Sequence, residues 1–326
     1  MIHFKNTKNN NFSKKAVIST NEDLAYAFFL PIVFKAWIKI GYHPVCVIVG
    51  SVSNWSLSTG KYYTIFKNAL EAGGDLVFLD VSKNKLKLYE SSAVAQVSRL
   101  CPFCLPFDLE TYYLSSDADM IPVNKIWFEQ QDFNKDIHLF YANGYNHARY
   151  AMCYIGAKGH VWNKIVNKNR IAQRMSYGMY GGSISVEKPP EIKDYYCSVI
   201  DVMSEVRPNC PKHIQWSHDE LYFVRSIKQY RNYPSSCQMI DRQIYNNPSF
   251  KNGMIGVPAQ LPKGRIDRSN WNNTIVDSNG IIDIHCKRPS YTDENWKELK
   301  EKLENIFDKE EMKFIDSYYN DFRSNL

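Results

Sequence analysis

The sequence predicts an α/β fold with a mostly parallel central sheet flanked by helices. Short, continuous apolar runs rich in β-branched residues recur in the N-terminal part, as strands covered on both faces require. Each run is followed by a segment with helical periodicity, so strand and helix alternate four times within about 100 residues. With 326 residues, the chain can bury a large core without disulfide bonds.

The apolar runs and their caps give the predicted elements in chain order. Four strands are expected, at 15–19, 44–50, 75–81 and 111–114. Three helices lie between them: one that follows capping residues at 20–23 and ends near Gly41, and two at 60–72 and 90–100. Gly73 and Gly74 close the second helix. Lysines 5, 8, 14 and 15 stand among several asparagines and predict a solvated leader before the first strand.

The second half of the chain has a looser pattern. Beyond Pro122, Gly-, Tyr- and Asn-rich segments replace the regular alternation. From Asp293 onward, apolar residues recur at intervals of three and four, which predicts two C-terminal helices packed on the body. We expect one domain over 1–326, with an N-terminal half at 15–125, a second half at 126–290 and a helical segment at 291–326.

Composition excludes several classes of protein. The 40 basic residues against 34 acidic ones are too even a mixture for a nucleic-acid-binding footprint, so we expect no nucleic-acid partner. No apolar run reaches the roughly 18 residues of a membrane span, and no secretory signal follows the leader. We therefore expect no membrane span and a cytoplasmic location. The eight scattered cysteines predict reduced thiols.

The run from Cys101 to Cys104 is a C-x-x-C pair, which can be a redox centre or half of a zinc site. A redox pair opens a helix, but Pro106 follows at once. The sequence has no second C-x-x-C that would complete a zinc tetrad. An ordinary loop is the favoured interpretation.

The most informative motif is the aspartate pair Asp117 and Asp119, directly after the fourth predicted strand. In near-extended backbone, side chains two positions apart point to the same face, so both carboxylates can enter one space. Two like charges there require a cation, and hard oxygen ligands suit Mg²⁺ or Mn²⁺. In open α/β sheets, ligands bind at the carboxyl ends of the strands, where this pair lies.

The order of elements over 15–125 and the motif Y-Y-L-S-S-D-A-D-M-I-P resemble the GT-A glycosyltransferase superfamily. The resemblance implies a nucleotide-sugar donor, with Asp117 near the ribose and donor sugar and Asp119 on a Mn²⁺ or Mg²⁺ ion that bridges the diphosphate. It also implies a metal-ligating histidine late in the chain, for which His285 is the candidate. The glycogenin-type pattern H-x-x-G-x-x-K-P is not reproduced, and a loop histidine is the alternative.

Residues at positions where the family binds its donor are candidate donor contacts. Thr20, Asn21 and Glu22 follow the first strand, where such enzymes hold the base and ribose, and Asp80 could read the uracil edge. Capping and surface roles explain these four residues almost as well.

Two cations are candidates for the phosphate end of the donor. The resemblance implies a cation near the diphosphate or donor sugar at Arg99, where a salt bridge is the competing account. Lys287, together with Arg288, could approach the phosphates. Gly181 and Gly182 could let a sugar approach the backbone, although turn formation alone would explain them.

An acidic pair, Asp219 and Glu220, opens a predicted buried helix. GT-A enzymes that invert the configuration at the anomeric carbon need a carboxylate that removes a proton from the acceptor hydroxyl. Asp219 would fit this role, with Glu220 as substitute. Retaining relatives place an aspartate in a similar segment, so the pair does not settle the stereochemistry. A helix N-cap at Asp219 is the structural alternative.

The sequence thus predicts transfer of a hexose from a nucleotide sugar, most simply a UDP-sugar such as UDP-glucose, to a hydroxyl of a glycan, protein or small molecule. A haloacid-dehalogenase-type phosphatase also uses D-x-D, but usually after its first strand. A nucleotidyltransferase shares the early topology, yet needs a Gly-rich phosphate loop that residues 19–23 lack. A catalytically degenerate carbohydrate-binding or scaffold protein is the non-enzymatic alternative.

Overall fold

A computed structural model describes residues 2–4, 12–82, 84–142, 150–167, 192–240, 264–268, 271 and 281–326. Its strands are β1 Ile2–Phe4, β2 Lys14–Asn21, β3 His43–Val49, β4 Asp75–Leu79, β5 Tyr112–Asp117, β6 Met120–Pro122, β7 Ile137–Phe140, β8 Ile155–Lys158, β9 Cys237–Ile240, β10 Gly264–Ile266 and β11 Ile281–His285. Its α-helices are α1 Leu24–Ala27, α2 Leu30–Lys39, α3 Val52–Trp55, α4 Lys61–Ala72, α5 Ser91–Ser98, α6 Lys125–Phe128, α7 Gly159–Val166, α8 Ile192–Met203, α9 Lys212–Trp216, α10 His218–Ile227, α11 Asp293–Leu303 and α12 Lys309–Ser324. The Gly181–Gly182 pair lies outside the described residues.

The main sheet has eight strands in the order β1-β4-β3-β2-β5-β8-β7-β9. Strands β4, β3, β2 and β5 run parallel to one another, and β8 pairs antiparallel with β5 and β7. A second sheet, β10-β11-β6, begins where the chain leaves β5. The predicted α/β class, with a mostly parallel core and C-terminal helices, is confirmed.

Two apolar layers cover the two faces of the main sheet. Successive side chains of a strand point to opposite faces, and Val17 and Ile18 of β2 accordingly belong to different buried clusters. The layer on the Ile18 side contains α2 and α12, where the Tyr318 hydroxyl donates to the Phe28 carbonyl over 2.6 Å. The C-terminal helix is therefore an integral part of the core.

Three predicted elements differ in the structure. Ile2–Phe4 of the supposed solvated leader pairs antiparallel with β4 at the sheet edge. The first helix is divided into α1 and α2, because Pro31 lies in the first turn of α2 and has no N–H to continue the hydrogen-bond ladder. The fourth strand runs on to Asp117, because the buried Ser115 hydroxyl donates to the Met152 carbonyl over 2.5 Å and so satisfies its polar group inside the sheet.

The Cys101–Cys104 segment forms a short 3₁₀ helix at Pro102–Cys104, and both thiols are buried and not in a disulfide. This placement fits neither an exposed redox pair nor an open metal site. Within the part of the chain that the structure describes, no helix has the length and apolarity to cross a membrane.

Gly74 marks a close approach between β4 and α2. A β-carbon there would lie 2.1 Å from Cδ2 of the buried Phe34 ring, which has no room to move. We expect Gly74→Ala to lower the free energy of unfolding by about 1–3 kcal/mol, measured by urea denaturation. In a Phe34→Leu background the same change should cost clearly less, and equal costs in both backgrounds would contradict the clash.

Candidate active site

A cavity of about 300 Å³ opens at the carboxyl ends of β2 and β5. The parallel register pairs Ser19 with Asp117, so the residues after each strand meet at this edge. The cavity is lined by Ser19, Thr20, Asn21, Tyr26, Ser92, Ala95, Gln96, Arg99, Asp117, Ala118, Asp119, Tyr141, Ala151, Met152, Cys153, Trp216, Glu220, Arg265, Arg268, His285 and Arg288. Its position is the one that the ligand rule for open α/β sheets predicts.

Strand pairing in the small sheet brings His285 to Asp119. In the antiparallel register of β6 and β11, His285 lies opposite Met120, and the Cys286 N–H donates to the Asp119 carbonyl over 2.9 Å. As a result, Nε2 of His285 lies 3.4 Å from Oδ2 of Asp119. Two residues 166 positions apart in the sequence are thus held side by side by backbone hydrogen bonds.

The Asp119 carboxylate is buried among cationic groups. Nε of Arg288 lies 3.3 Å and a terminal nitrogen of Arg268 3.7 Å from its Oδ2. Burial lowers the pKa of His285, but the nearby carboxylates of Asp119 and Asp267 outweigh this and raise it to about 9. The ring must lose its proton before it can ligate a metal.

The donor set around Asp119 fits a divalent cation that completes its coordination from a substrate. Oδ2 of Asp119 is buried and forms no regular hydrogen bond with another described residue; its contacts there are the longer ion pairs with His285, Arg268 and Arg288. With His285 it offers one oxygen and one nitrogen ligand. The described residues contain no cluster of three or more His, Cys, Asp and Glu side chains suited to a metal. Mg²⁺ and Mn²⁺ sites with few protein ligands commonly use phosphate oxygens and water for the rest.

Arg99 forms a buried link between Asp117 and Asp219. It donates to an Asp117 oxygen and, through Nε and Nη2, to Oδ2 of Asp219 over 3.2 and 2.7 Å. Burial alone would lower the pKa of the guanidinium, but the two carboxylates raise it above its ordinary value. Burial likewise favours a higher pKa for Asp117, and Arg99 reverses this and lowers it. Arg99 and Asp117 therefore stay charged at neutral pH.

The aspartate pair lies in one cavity but takes separate partners. Asp117 ends β5 and contacts Arg99, while Asp119 follows a turn and faces His285. Because a turn replaces extended backbone between them, the two carboxylates do not share one face as the spacing suggests.

The acidic pair on α10 is likewise divided. Asp219 is only 1% exposed, accepts from Arg99 through Oδ2 and from the Glu220 N–H through Oδ1, and does not line the cavity. Glu220 does line it. Successive residues of a helix point about 100° apart, so one carboxylate faces the protein interior and the other faces the cavity.

The predicted donor residues fall into two groups. Thr20 and Asn21 line the cavity, as do Arg99, Asp117 and Asp119. The others lie elsewhere, namely Glu22, Asp80 and Lys287.

Each of the three residues away from the cavity has a structural partner. Glu22 accepts hydrogen bonds from the Ser51 N–H and from Asn54 over 3.3 and 2.9 Å, and so anchors the loop after β3. Asp80 follows β4, and β3 lies between β4 and β2 in the sheet. Its carboxylate accepts a hydrogen bond from the Ser82 N–H. Lys287 forms an ion pair with Glu298 of α11.

Several cavity residues, Arg265 and Arg268 among them, were not predicted from the sequence. Of the two cations expected near the phosphates, Arg288 reaches Asp119, whereas Lys287 pairs with Glu298 of α11. Burial by itself would lower the pKa of Arg265, but its ion pair with the buried Asp283 outweighs this effect and raises the pKa. The spacing of residues 92, 95, 96 and 99, at intervals of three and four, could have predicted that they share one face of α5.

Comparison of the sequence with protein-family models and with curated proteins yields no match. Solved structures do resemble the fold. The galactosyltransferase LgtC, in complex with donor and acceptor sugar analogs, matches with a TM-score of 0.41 and 10% identity over 96% of this chain and 100% of that one. The bifunctional glycosyltransferase WbbM matches with a TM-score of 0.39 and 11% identity over 94% of this chain and 52% of that one.

The glycosyltransferase GlyE of Streptococcus pneumoniae TIGR4 matches with a TM-score of 0.33 and 12% identity over 60% of this chain. The matched region spans less than half of the GlyE chains, 44% and 46%. These three solved structures are glycosyltransferases, in line with the predicted resemblance. Because the identities and TM-scores are low, the activity proposed below rests on the site itself.

Proposed function

We propose that this protein is a glycosyltransferase that takes a hexose from a nucleotide sugar, most simply a UDP-sugar, and transfers it to an acceptor hydroxyl with the help of Mn²⁺ or Mg²⁺. The observation that carries the proposal is the buried Asp119 carboxylate, one oxygen of which forms no regular hydrogen bond with a described residue, beside His285 in the cavity at the strand ends. Glycan, protein and small-molecule acceptors all present the required hydroxyl.

Two kinds of group support donor binding. Thr20 and Asn21 are the last two residues of β2 and offer hydroxyl and amide groups for the base and ribose. Arg268 and Arg288 place two guanidinium groups near Asp119, where they can contact a diphosphate. Asp119 and His285, which would hold the metal, line the same cavity as these two sets of groups.

Asp119 and His285 would hold the metal, with the donor's phosphate oxygens and water as further ligands. When bound, the ion neutralises charge on the departing diphosphate. Asp117 would act differently, because Arg99 already engages it. In the proposal, the Asp117 oxygen that does not contact Arg99 accepts a hydrogen bond from a hydroxyl of the donor sugar or ribose. Arg99 fixes the orientation of the Asp117 carboxylate.

The transfer step needs a group that receives the acceptor proton. The acceptor oxygen forms a bond to the anomeric carbon as the bond from that carbon to the diphosphate oxygen breaks, and the nucleoside diphosphate leaves with the electron pair. We assign the proton to the Glu220 carboxylate, because Glu220 lines the cavity whereas Asp219 is buried and does not. Asp219 then acts as a positioning residue through Arg99.

The first test is calorimetric titration of UDP, GDP, UDP-glucose and UDP-GlcNAc, each with and without Mn²⁺. We expect one nucleotide to bind more tightly with Mn²⁺, and Asp119→Ala to weaken that binding at least about tenfold, equal to about 1.4 kcal/mol. The control is Asp316→Ala, which removes a surface carboxylate paired with Lys300 on the C-terminal helices. Binding that ignores Mn²⁺ and survives Asp119→Ala would contradict the assignment.

One observation favours the degenerate binding protein as a second candidate. Arg99 occupies Asp117, and the described residues contain no three-ligand metal cluster. Such a protein would bind a nucleotide sugar without turning it over. Release of UDP from the donor that binds most tightly, followed with and without Mn²⁺, separates the two: metal-dependent release excludes the binding-only protein.

A further inference from the structure

Trp216 is an exception among the tryptophans. All seven lie in the described part of the chain, and six are at most 7% exposed and belong to the core. Trp216 is 43% exposed and lines the cavity. Exposing an indole to water forgoes the free energy that its burial would supply, about 1.5–3 kcal/mol for a large apolar side chain. An exposed indole at a cavity wall therefore indicates a surface that a ligand covers.

Trp216 ends α9, and Glu220 stands four residues later in the first turn of α10. Ser217 joins the two helices: its N–H donates to the His213 carbonyl of α9, and its carbonyl accepts from the Leu221 N–H of α10. Trp216 and Glu220 both line the cavity. The indole and the carboxylate therefore border one cavity from nearby positions in the chain.

This pairing suits a sugar ring. The electron-rich face of an indole attracts the C–H groups on the flat side of a pyranose, and a carboxylate beside it accepts hydrogen bonds from the hydroxyls at the ring edge. We propose that Trp216 is the stacking platform of an acceptor subsite, and that the acceptor is a saccharide whose attacked hydroxyl points to Glu220. The inference rests on the proposed transferase function and narrows its acceptor to a carbohydrate.

The neighbouring ring argues against the donor base as the occupant. Tyr26 carries the Arg288 guanidinium 4.1 Å from its ring centre, so one of its faces is already covered. Its ring centre lies 6.4 Å from that of Trp216 with the planes tilted by 42°. Two rings at that tilt do not form a parallel slot for a flat base. The Tyr26 and Trp216 rings therefore do not favour a sandwiched base as the ligand at Trp216.

The exposure of Trp216 also supplies the test, because acrylamide quenches the fluorescence of solvent-exposed tryptophans selectively. The full chain, with Mn²⁺ and UDP bound, is titrated with methyl glucopyranosides, methyl galactopyranosides, maltose, cellobiose and lactose. We expect at least one of these saccharides to protect the quenchable tryptophan. Trp216→Phe should remove most of the fluorescence that acrylamide quenches, which would identify Trp216 as the source of this fluorescence.

Calorimetry of the protecting saccharide gives the size of the effect. We expect about tenfold weaker binding for Trp216→Ala and a smaller loss for Trp216→Phe, which keeps an aromatic face. The matched control is Leu221→Ala, since Leu221 is 45% exposed on the adjacent helix but is not among the residues that line the cavity. It should leave saccharide binding unchanged.

Several results would overturn the subsite. These are protection by UDP alone, protection by myo-inositol equal to that by the saccharides, and no protection by any saccharide in the panel. Each is distinguishable from failure of the transferase proposal, because Mn²⁺-dependent UDP binding and its loss in Asp119→Ala are measured separately. Protection by UDP alone would reassign Trp216 to the nucleotide.

Discussion

Replacing Arg99 with methionine should lower the free energy of unfolding by about 3–5 kcal/mol, the largest stability effect we expect of a single substitution in the cavity. Methionine keeps the length and apolar stem of arginine but leaves the Asp219 carboxylate buried without its cation. Burying an unpaired charge costs far more than an ion pair gains at the surface. Urea denaturation followed by circular dichroism measures the difference.

The matched control for this prediction is Arg225→Met. Arg225 likewise forms an ion pair, with Glu205 over 2.8 Å. This pair lies at the surface, where its contribution to the free energy of unfolding is at most about 1 kcal/mol. Equal losses for Arg99→Met and Arg225→Met would show that the Arg99 network does not stabilise the fold. Arg99→Lys should recover only part of the loss, because lysine cannot contact two carboxylates with a planar fork.

The second large effect concerns Glu220. We expect Glu220→Gln to lower kcat for transfer by at least about 100-fold, because the amide cannot receive the acceptor proton. Its free energy of unfolding should stay close to that of the parent protein, because the side chain lines the cavity rather than the core. The rate of UDP release from the donor, measured with the acceptor that protects Trp216, gives kcat.

Asp219→Asn provides the contrast. This change leaves Arg99 without one of its two carboxylates in the interior, so it should destabilise the fold and weaken donor binding while the proton acceptor remains. Rates are therefore compared at saturating donor, at a temperature where both variants are folded. A kcat that collapses in a folded Asp219→Asn while Glu220→Gln keeps its rate would return the role of base to Asp219.

Much of the fold followed from local sequence features. The apolar runs within 44–50 and 75–81 predicted strands buried on both faces, and they form the parallel strands β3 and β4. The periodic residues after Asp293 formed the two expected helices. The strand at Ile2–Phe4 was missed, because a three-residue edge strand depends on its partner β4 rather than on its own pattern.

The sequence by itself determined the α/β class and the placement of Asp117 and Asp119 at the carboxyl end of a buried strand, because both depend on periodicity and on the order of elements. Only the tertiary structure decided that Arg99 joins Asp117 to Asp219, that Glu220 rather than Asp219 faces the cavity, and that Trp216 is exposed. These facts depend on how each helix is rotated against the sheet and on pairings between residues far apart in the chain. Neither is encoded in the spacing of neighbouring residues, because side-chain direction around a helix is fixed only when the helix packs against its neighbours.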